Sequence, residues 1–214
     1  MCIRDSTSYA DTDGVITDPT TDLDNEFGDT SEVAYREVTP EIGVAKEIVG
    51  VPVPQADGTF AVTYEVVVEN TGLTDLVNLS VVEDLASQFG AAFSSAGNLT
   101  LITGTTDPNS SVSLNSTGWD GGAVVSEIID PAGTGSNLAI GDSFTFRFDV
   151  VVNPTSSALD NQVKASGTAV DHDGNPILDG AGMPVMVMDL SDSGTDPDDP
   201  NAGAPGDDGM GGTR

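Results

Sequence analysis

Three polar residues interrupt segments of this sequence that otherwise alternate like half-buried β-strands. Lys46, Glu83 and Asn161 each fall on the side of a strand-like segment that carries its apolar residues. A lysine or carboxylate buried without a partner is costly, so we expect these side chains to find polar partners inside the fold. Burial also favours a neutral amine, which is nucleophilic, and a protonated carboxyl, which can polarise an amide. These three side chains are therefore the best candidates for chemistry in this chain.

Acidic turns form a second candidate site. The residues concerned are Asp11, Asp13 and Asp18 near one Asp-x-Asp-Gly turn and Asp171, Asp173 and Asp179 near another. Clustered carboxylates and turn carbonyls suit Ca²⁺, which takes six to eight oxygen ligands. Neither segment has the spacing of an EF-hand loop. Two interpretations stay open: a solvated acidic turn, and a weak calcium site that stiffens a linker.

The remaining residues offer little catalytic chemistry. His172 is the only histidine, so neither a histidine-based triad nor a multi-histidine metal site can form. No phosphate-binding glycine loop precedes a helix, and no nucleophile lies near a base in the sequence. We therefore predict that the protein is not an enzyme and requires no cofactor, with calcium as the one ion that it could bind.

The charge of the chain limits its partners. The net charge is −29, because 35 acidic residues stand against 6 basic ones. This argues against nucleic acid and anionic membrane surfaces as partners and favours solubility in a salty or divalent-rich medium. No stretch is long and apolar enough to cross a bilayer, so we expect no membrane insertion.

The elements that must position the three polar residues are short strands. The clearest pattern is FAVTYEVVVENTG over 60–72, which predicts a half-buried strand closed by a turn that tolerates positive φ. Further strands are predicted over 42–48, 76–83, 99–103, 111–114, 123–129, 143–152, 159–167 and 183–188, with at most one helical turn within 85–93. Seven to nine strands with turns between them predict an all-β, immunoglobulin-like antiparallel β-sandwich with disordered acidic flanks.

Composition divides the chain into four parts. Residues 1–6, MCIRDS, resemble the translation of a transposon end used in sequencing-library preparation, and we interpret them as an adapter artefact. Residues 7–39 are predicted to be an acidic linker or the tail of a preceding repeat, since their start parallels residues 169–179. The sandwich repeat is placed at 40–189, and an Asp/Gly/Pro-rich linker at 190–214.

Short segments in a fixed order carry a family resemblance. KEIVG, YEVVVENTG, NLSVVEDL, LAIGDSFTFRFDVVV and LDNQVKASG together resemble the conserved-repeat domain of bacterial surface proteins, catalogued as the domain of unknown function, number eleven. The resemblance covers about residues 41–167, and SDSGTDPDDPN is similar to the spacers between such repeats. It implies an immunoglobulin-like fold, an extracellular or cell-surface setting in bacteria, and a stalk or adhesive role.

The resemblance also implies roles for the three polar residues. In related surface-protein sandwiches, a first-strand lysine attacks a last-strand asparagine carboxamide while an Asp or Glu shuttles protons, and ammonia leaves. Lys46, Asn161 and Glu83 match these positions, although the family usually has Asp where Glu83 stands, so Asp84 is an alternative shuttle. The competing interpretation is that Lys46 extends to the strand end or pairs with an acid, and Asn161 caps a turn.

The sequence thus predicts a structural stalk or spacer repeat of a large secreted or cell-surface bacterial protein. Its partners would be neighbouring repeats of the same chain, and a Lys–Asn isopeptide bond could lock it. The alternative is an adhesive module that recognises an extracellular glycan or protein through its loops, with calcium-stiffened linkers. Few Tyr and Trp residues are present to build such a binding surface.

Overall fold

The fold is built almost entirely from strands. A computed structural model describes residues 39–122, 124–131, 136–153 and 159–197. Of the described residues, 47% lie in strands or isolated bridges and 5% in helices, and two sheets pack together. The strands are β1 (Gly43–Ile48), β2 (Val53–Pro54), β3 (Phe60–Glu69), β4 (Asp75–Val82), β5 (Phe93–Thr103), β6 (Ser143–Val152), β7 (Lys164–Val170), β8 (Met186–Leu190) and β9 (Asp192–Ser193). The predicted all-β sandwich is confirmed.

The strand order is that of a constant-type immunoglobulin domain. Sheet 1 has the order β5-β6-β3-β1-β9, with β2 also paired to β3, and sheet 2 has the order β4-β7-β8. Every pairing is antiparallel except the parallel one between β1 and β9. Without the two-residue strands β2 and β9, sheet 1 corresponds to strands D-E-B-A and sheet 2 to strands C-F-G.

The core lies between the two sheets. Inward-facing residues of β3 and β6 alternate strictly with outward-facing ones, as their sequence predicts. Phe144, Phe146 and Phe148 of β6 are fully buried and stack along the strand. Trp119 packs edge-on against Phe148, with ring centroids 5.1 Å apart, so this tryptophan is a core residue. These aromatic rings pack together in the core beside β6.

A bulge in β4 decides which way its last residues point. The register of β4 against β7 shifts between Val77 and Ser80, and Asn78 between them has a φ of 53°. Leu76 and Leu79 are therefore both buried, although simple alternation would place them on opposite faces. After the bulge, every second residue counted from Leu79 faces inward. Glu83, directly after this strand, therefore faces the core.

Several predicted strands differ from the observed ones. Among the described residues, the strands predicted over 111–114 and 123–129 are represented only by isolated bridges, such as Leu114 with Ile129. By contrast, β5 is longer than predicted, because register shifts along its pairing with β6 hide the alternation in its sequence. The predicted helical turn is present as α1 (Leu85–Phe89), followed by a 3₁₀ turn at Gly90–Ala92.

The turn after β3 is tight because other backbone lies close against it, and not because Gly72 has a positive φ. Gly72 does not have positive φ, contrary to the prediction. Instead, a Cβ on Gly72 would lie 2.3 Å from the backbone nitrogen of Glu41 and 3.0 Å from the carbonyl oxygen of Thr39. Asn70 is fully buried, and its amide donates to the carbonyl oxygens of Thr74 and Leu138.

Substituting Gly72 by alanine should destabilise the sandwich. The new methyl group would collide with backbone, which cannot rotate away, and we expect a loss of about 1–3 kcal/mol in the free energy of unfolding. Urea denaturation would measure it. Gly97→Ala is the matched control, since a Cβ there meets nothing within 4 Å. Equal stability of the two variants would contradict the close approach at Gly72.

Residues beyond 189 belong to the fold. Ser191 and Asp192 are buried, and β9 lies beside β1, pairing Ser193 with Lys46. The chain then returns so that Pro197 covers Gly43, where a Cβ would come 2.5 Å from the Pro197 carbonyl oxygen. We call residues 191–197 the C-terminal strap. The prediction that a linker begins at residue 190 is wrong for these residues, because backbone pairing with β1 holds them in place.

Parts of the prediction lie outside the described residues. These are the adapter-like residues 1–6, most of the acidic flank at 7–39, and the predicted linker from residue 198 onwards. Within the described ranges, no helix has the length and apolarity needed to span a membrane.

Candidate functional site

A buried amine and a buried carboxyl face each other between the sheets. Lys46 lies on β1 of sheet 1, and Glu83 directly follows β4 of sheet 2. Their side chains are 6% and 0% exposed, and Lys46 Nζ lies 3.6 Å from Glu83 Oε2. This distance allows an ion pair but no hydrogen bond, and neither atom has a hydrogen-bond partner. Lys46 and Glu83 therefore meet inside the fold.

Asn161 joins this pair from the segment that precedes β7. Its carboxamide oxygen and nitrogen are both buried without a hydrogen bond of ordinary length and angle. The carboxamide nevertheless lies close enough to Glu83 and to Tyr64 to influence the pKa of both. Asn161 is not on the last strand, and the strand predicted over 159–167 begins only at Lys164. The structure thus gathers all three predicted residues, with Asn161 on a connection between strands.

The buried environment brings the pKa values of Glu83 and Lys46 close together. Burial raises the pKa of Glu83 to about 7, although the Lys46 charge and polar contacts with Asn161 and Gln88 oppose the rise. Burial likewise lowers the pKa of Lys46 to about 8, opposed by the Glu83 charge. Since the two values are similar, a proton can pass between the groups at little cost. A neutral amine beside a protonated carboxyl is therefore accessible near neutral pH.

We expect this pair to create a minimum of stability between the two pKa values in a protein that cannot cross-link, such as Asn161→Ala. Glu83 has a folded pKa of about 7, above its ordinary value of 4.5, so stability falls as pH rises through that interval. Lys46 has a folded pKa of about 8, below 10.5, so stability rises again as pH rises through that interval.

Urea denaturation of Asn161→Ala below, between and above these pKa values would measure the minimum. Other carboxyl groups also titrate, so the reference is Asn161→Ala with Lys46→Met and Glu83→Gln added. A difference between the two proteins that does not vary with pH would contradict the assignment.

Tyr64 forms one wall of the site and was not predicted to belong to it. Lys46 Nζ lies 5.6 Å from the centroid of its ring, which stacks on Phe148 of the core. Burial raises the pKa of the Tyr64 hydroxyl, with a smaller lowering from Asn161. Its place on the inward face of β3 is visible in the sequence, but its proximity to Lys46 follows from the pairing of β1 with β3.

Gln88 is a second residue that sequence reasoning missed. It lies on α1, and its Nε2 donates to Glu83 Oε1 at 2.9 Å and to the carbonyl oxygen of Gln162 at 3.0 Å. Its Oε1 accepts from the backbone N–H of Gln162 at 2.6 Å. Gln88 therefore links the carboxyl of Glu83 to the backbone beside Asn161. A glutamine at an exposed helix position gives no sequence signal for such a role.

Asp84 is not part of the site. It is the N-cap of α1, and its side chain accepts a hydrogen bond from the backbone N–H of Ser87 at 3.0 Å. Glu83 is therefore the carboxyl that faces Lys46, and the structure does not favour Asp84 as an alternative proton shuttle.

The site opens to the surface through a cleft of about 480 Å³. Lys46, Tyr64 and Asn161 lie at its inner side, and Ser191–Gly194 of the C-terminal strap line another side. The strap is fixed there by hydrogen bonds from Ser191 N–H to the Val163 carbonyl and from Gly194 N–H to the Lys46 carbonyl. The strap thus covers part of a site that is otherwise made by strands far earlier in the sequence.

The acidic turns are organised by their own backbone. Asp171 accepts hydrogen bonds from the N–H groups of Asp173 and Asn175, and Asp179 does the same within its own turn. Among the described residues, no three acidic, histidine or cysteine side chains are grouped so that they could hold a metal ion. Asp171, Asp173 and Asp179 are therefore not gathered into a calcium site. Asp11, Asp13 and Asp18 lie outside the described residues.

Comparison with known proteins adds no relative. No protein-family model matches this sequence, and no curated protein matches it. The resemblance to the conserved-repeat domain of bacterial surface proteins therefore stays a prediction from the order of short segments.

Proposed function

We propose that this chain is a structural spacer repeat of a large secreted or cell-surface bacterial protein, locked by an isopeptide bond between Lys46 and Asn161. Neighbouring repeats of the same chain would be its partners. The observation that carries the proposal is the burial of an amine, a carboxyl and a carboxamide together, with Lys46 Nζ, Glu83 Oε2 and both polar atoms of Asn161 lacking hydrogen bonds. Such an arrangement is expensive for stability alone and is suited to reaction.

The reaction needs no external reagent. Neutral Lys46 Nζ attacks Cγ of Asn161 while protonated Glu83 donates to the carboxamide, and the resulting carboxylate takes a proton from Nζ. The Nζ–Cγ bond forms, the Cγ–Nδ2 bond breaks, and Nδ2 leaves as ammonia with a proton returned through Glu83. No group is oxidised or reduced. The proximity of the pKa values of Lys46 and Glu83, about 8 and about 7, supports this exchange.

The bond would suit a module that resists extension. Lys46 is on sheet 1, and Asn161 lies on the connection that enters sheet 2, so the bond would join the two sheets covalently. It would close a loop of roughly 100 residues, which on the chain-entropy model for cross-links is worth roughly 4–5 kcal/mol.

Intact mass of the 214-residue protein tests the proposal. We expect the wild type to be lighter than its sequence by one ammonia and to yield a peptide in which Lys46 is joined to Asn161. Lys46→Ala should have the full mass. Lys164→Ala is the matched control, because this exposed lysine at the start of β7 is the only other lysine of the chain and should leave the bond intact. Full mass in the wild type would overturn the cross-link.

A further inference from the structure

The side chain of Gln88 makes all of its hydrogen bonds within the candidate site. It lies on a helix of five residues at an exposed position, yet both of its polar atoms have hydrogen-bond partners at the site. Its Nε2 donates to Glu83 Oε1, and the same amide forms hydrogen bonds with both the backbone N–H and the carbonyl oxygen of Gln162. The two bonds with Gln162 span 74 residues of sequence and join α1 to the connection that carries Asn161.

We propose that Gln88 is the positioning residue of the condensation, holding the Glu83 carboxyl and the Asn161 carboxamide in their reactive arrangement. This inference rests on the proposed function and adds to it a residue that acts through two others. Gln88 itself touches neither Lys46 nor the bond that forms.

The two carboxyl oxygens of Glu83 have different neighbours and therefore different roles. Oε1 is occupied by the Gln88 amide, whereas Oε2 faces Lys46 Nζ at 3.6 Å and has no hydrogen bond. Without Gln88, the carboxyl could rotate, and either oxygen would lose its fixed direction. The oxygen that must exchange a proton with Lys46 is therefore selected by the contact made at the other oxygen.

Gln88 also fixes the backbone beside the electrophile. The Gln88 side-chain amide bonds to both the N–H and the carbonyl oxygen of Gln162, at 2.6 and 3.0 Å, as the backbone of a paired strand would. Asn161 is the preceding residue and lies on a connection, not in a strand, so its backbone lacks a ladder of its own before β7. Because a displacement of about 1 Å can slow a positioned reaction roughly 100-fold, this clamp matters for rate.

The other ionisable groups near Glu83 do not provide this positioning. Lys46 from β1 and Tyr64 from β3 face Glu83 from sheet 1, and both take part in its electrostatic environment. Asp160 and Asp192 line the cleft beside Lys46. Asp84, the neighbour of Glu83 in sequence, caps α1. Gln88 is the neutral group that contacts both Glu83 and the Asn161 connection.

The first test follows ammonia loss with time by intact mass, starting from cell-free synthesis of the full chain. We expect Gln88→Met to slow the loss roughly 100-fold. Gln88→Glu keeps an acceptor for the Gln162 N–H but cannot donate to Glu83, and it should slow the loss by a similar factor. Gln55→Met is the control, because the side chain of Gln55 makes only an exposed hydrogen bond to the carbonyl oxygen of Val53. Unchanged rates in both Gln88 variants would overturn the proposal.

A second readout separates positioning from a general loss of structure. With Gln88→Met, the high-pH limb of the rate profile should move to higher pH, because the Gln88 contact lowers the pKa of Glu83. In the Asn161→Ala background, which cannot cross-link, NMR titration of Glu83 should show the same direction of shift, and the Gln162 N–H should exchange faster.

The two outcomes distinguish this inference from the proposed function. If the wild type forms no bond but Gln88→Met shifts the Glu83 titration and releases the Gln162 N–H, the positioning contact stands and the condensation fails. If the wild type forms the bond and neither the rate nor the titration responds to Gln88, the condensation stands and the positioning role is overturned.

Discussion

Replacing Glu83 by glutamine is expected to stop the condensation and to leave Lys46 buried without a counter-charge. Breaking a buried ion pair by removing one partner typically costs about 3–5 kcal/mol, because the remaining charge cannot be solvated. The appropriate reference is Asn161→Ala, which also cannot cross-link but keeps the Lys46–Glu83 pair. We therefore expect Glu83→Gln to be about 3–5 kcal/mol less stable than Asn161→Ala in urea denaturation near neutral pH.

Removing the second partner should restore most of this loss. In Glu83→Gln with Lys46→Met, no charge is buried, and replacing a buried pair by groups of similar volume is often neutral or stabilising. The double variant should thus be more stable than Glu83→Gln alone while still showing full mass. Equal destabilisation in both variants would mean that the cost arises from packing around residue 83 and not from the unpaired amine.

The site residues could be found in the sequence because each is a polar residue at a position where the alternating pattern calls for an apolar one. Lys46, Glu83 and Asn161 each stand where an apolar side chain would continue the pattern, and that pattern is strong in the neighbouring strands. What the sequence does not show is the bulge at Asn78, which turns the end of β4 so that Glu83 faces inward. Alternation counted from Leu79, after the bulge, places Glu83 on the buried side that it occupies.

The strands of the fold were predictable to different degrees. β3 and β6 are regular and half-buried, so strict alternation reveals them almost residue by residue. β5 has several register shifts, and the bridges around Leu114 are isolated, so neither has a clear period. For such segments, pairing with a distant neighbour determines the conformation, and local sequence carries little of that information.

Contacts made through backbone or through exposed polar side chains were not predictable. Gln88 occupies an exposed helix position, and the partners of its amide lie 74 residues away. The C-terminal strap consists of Ser, Asp, Gly, Thr and Pro, a composition typical of linkers. Its two-residue strand β9 is held by backbone hydrogen bonding to β1, which any sequence without proline at those positions could make.

The strap leads to the second large expected effect, which is the loss of stability and of cross-linking when the chain is cut after Leu190. The truncation removes the hydrogen bonds of Ser191 N–H to Val163, Val163 N–H to Ser191 Oγ, and Gly194 N–H to Lys46. Three such bonds, at about 0.5–1.5 kcal/mol each, predict a loss of about 1.5–4.5 kcal/mol. Water would also reach Lys46 more freely, and this would raise its pKa from about 8 towards 10.5 and leave less neutral amine.

The matched control is a chain that ends after Pro197, because it retains the whole strap and every other described residue. Urea denaturation and the time course of ammonia loss should distinguish the two truncations, with the shorter chain less stable and slower to react. Since the strap follows Lys46, Glu83 and Asn161 in the sequence, a dependence on it would mean that the condensation waits until the chain beyond β8 has been made and has docked. Equal stability and equal rates in the two truncations would show that β9 pairs with β1 without contributing to the site.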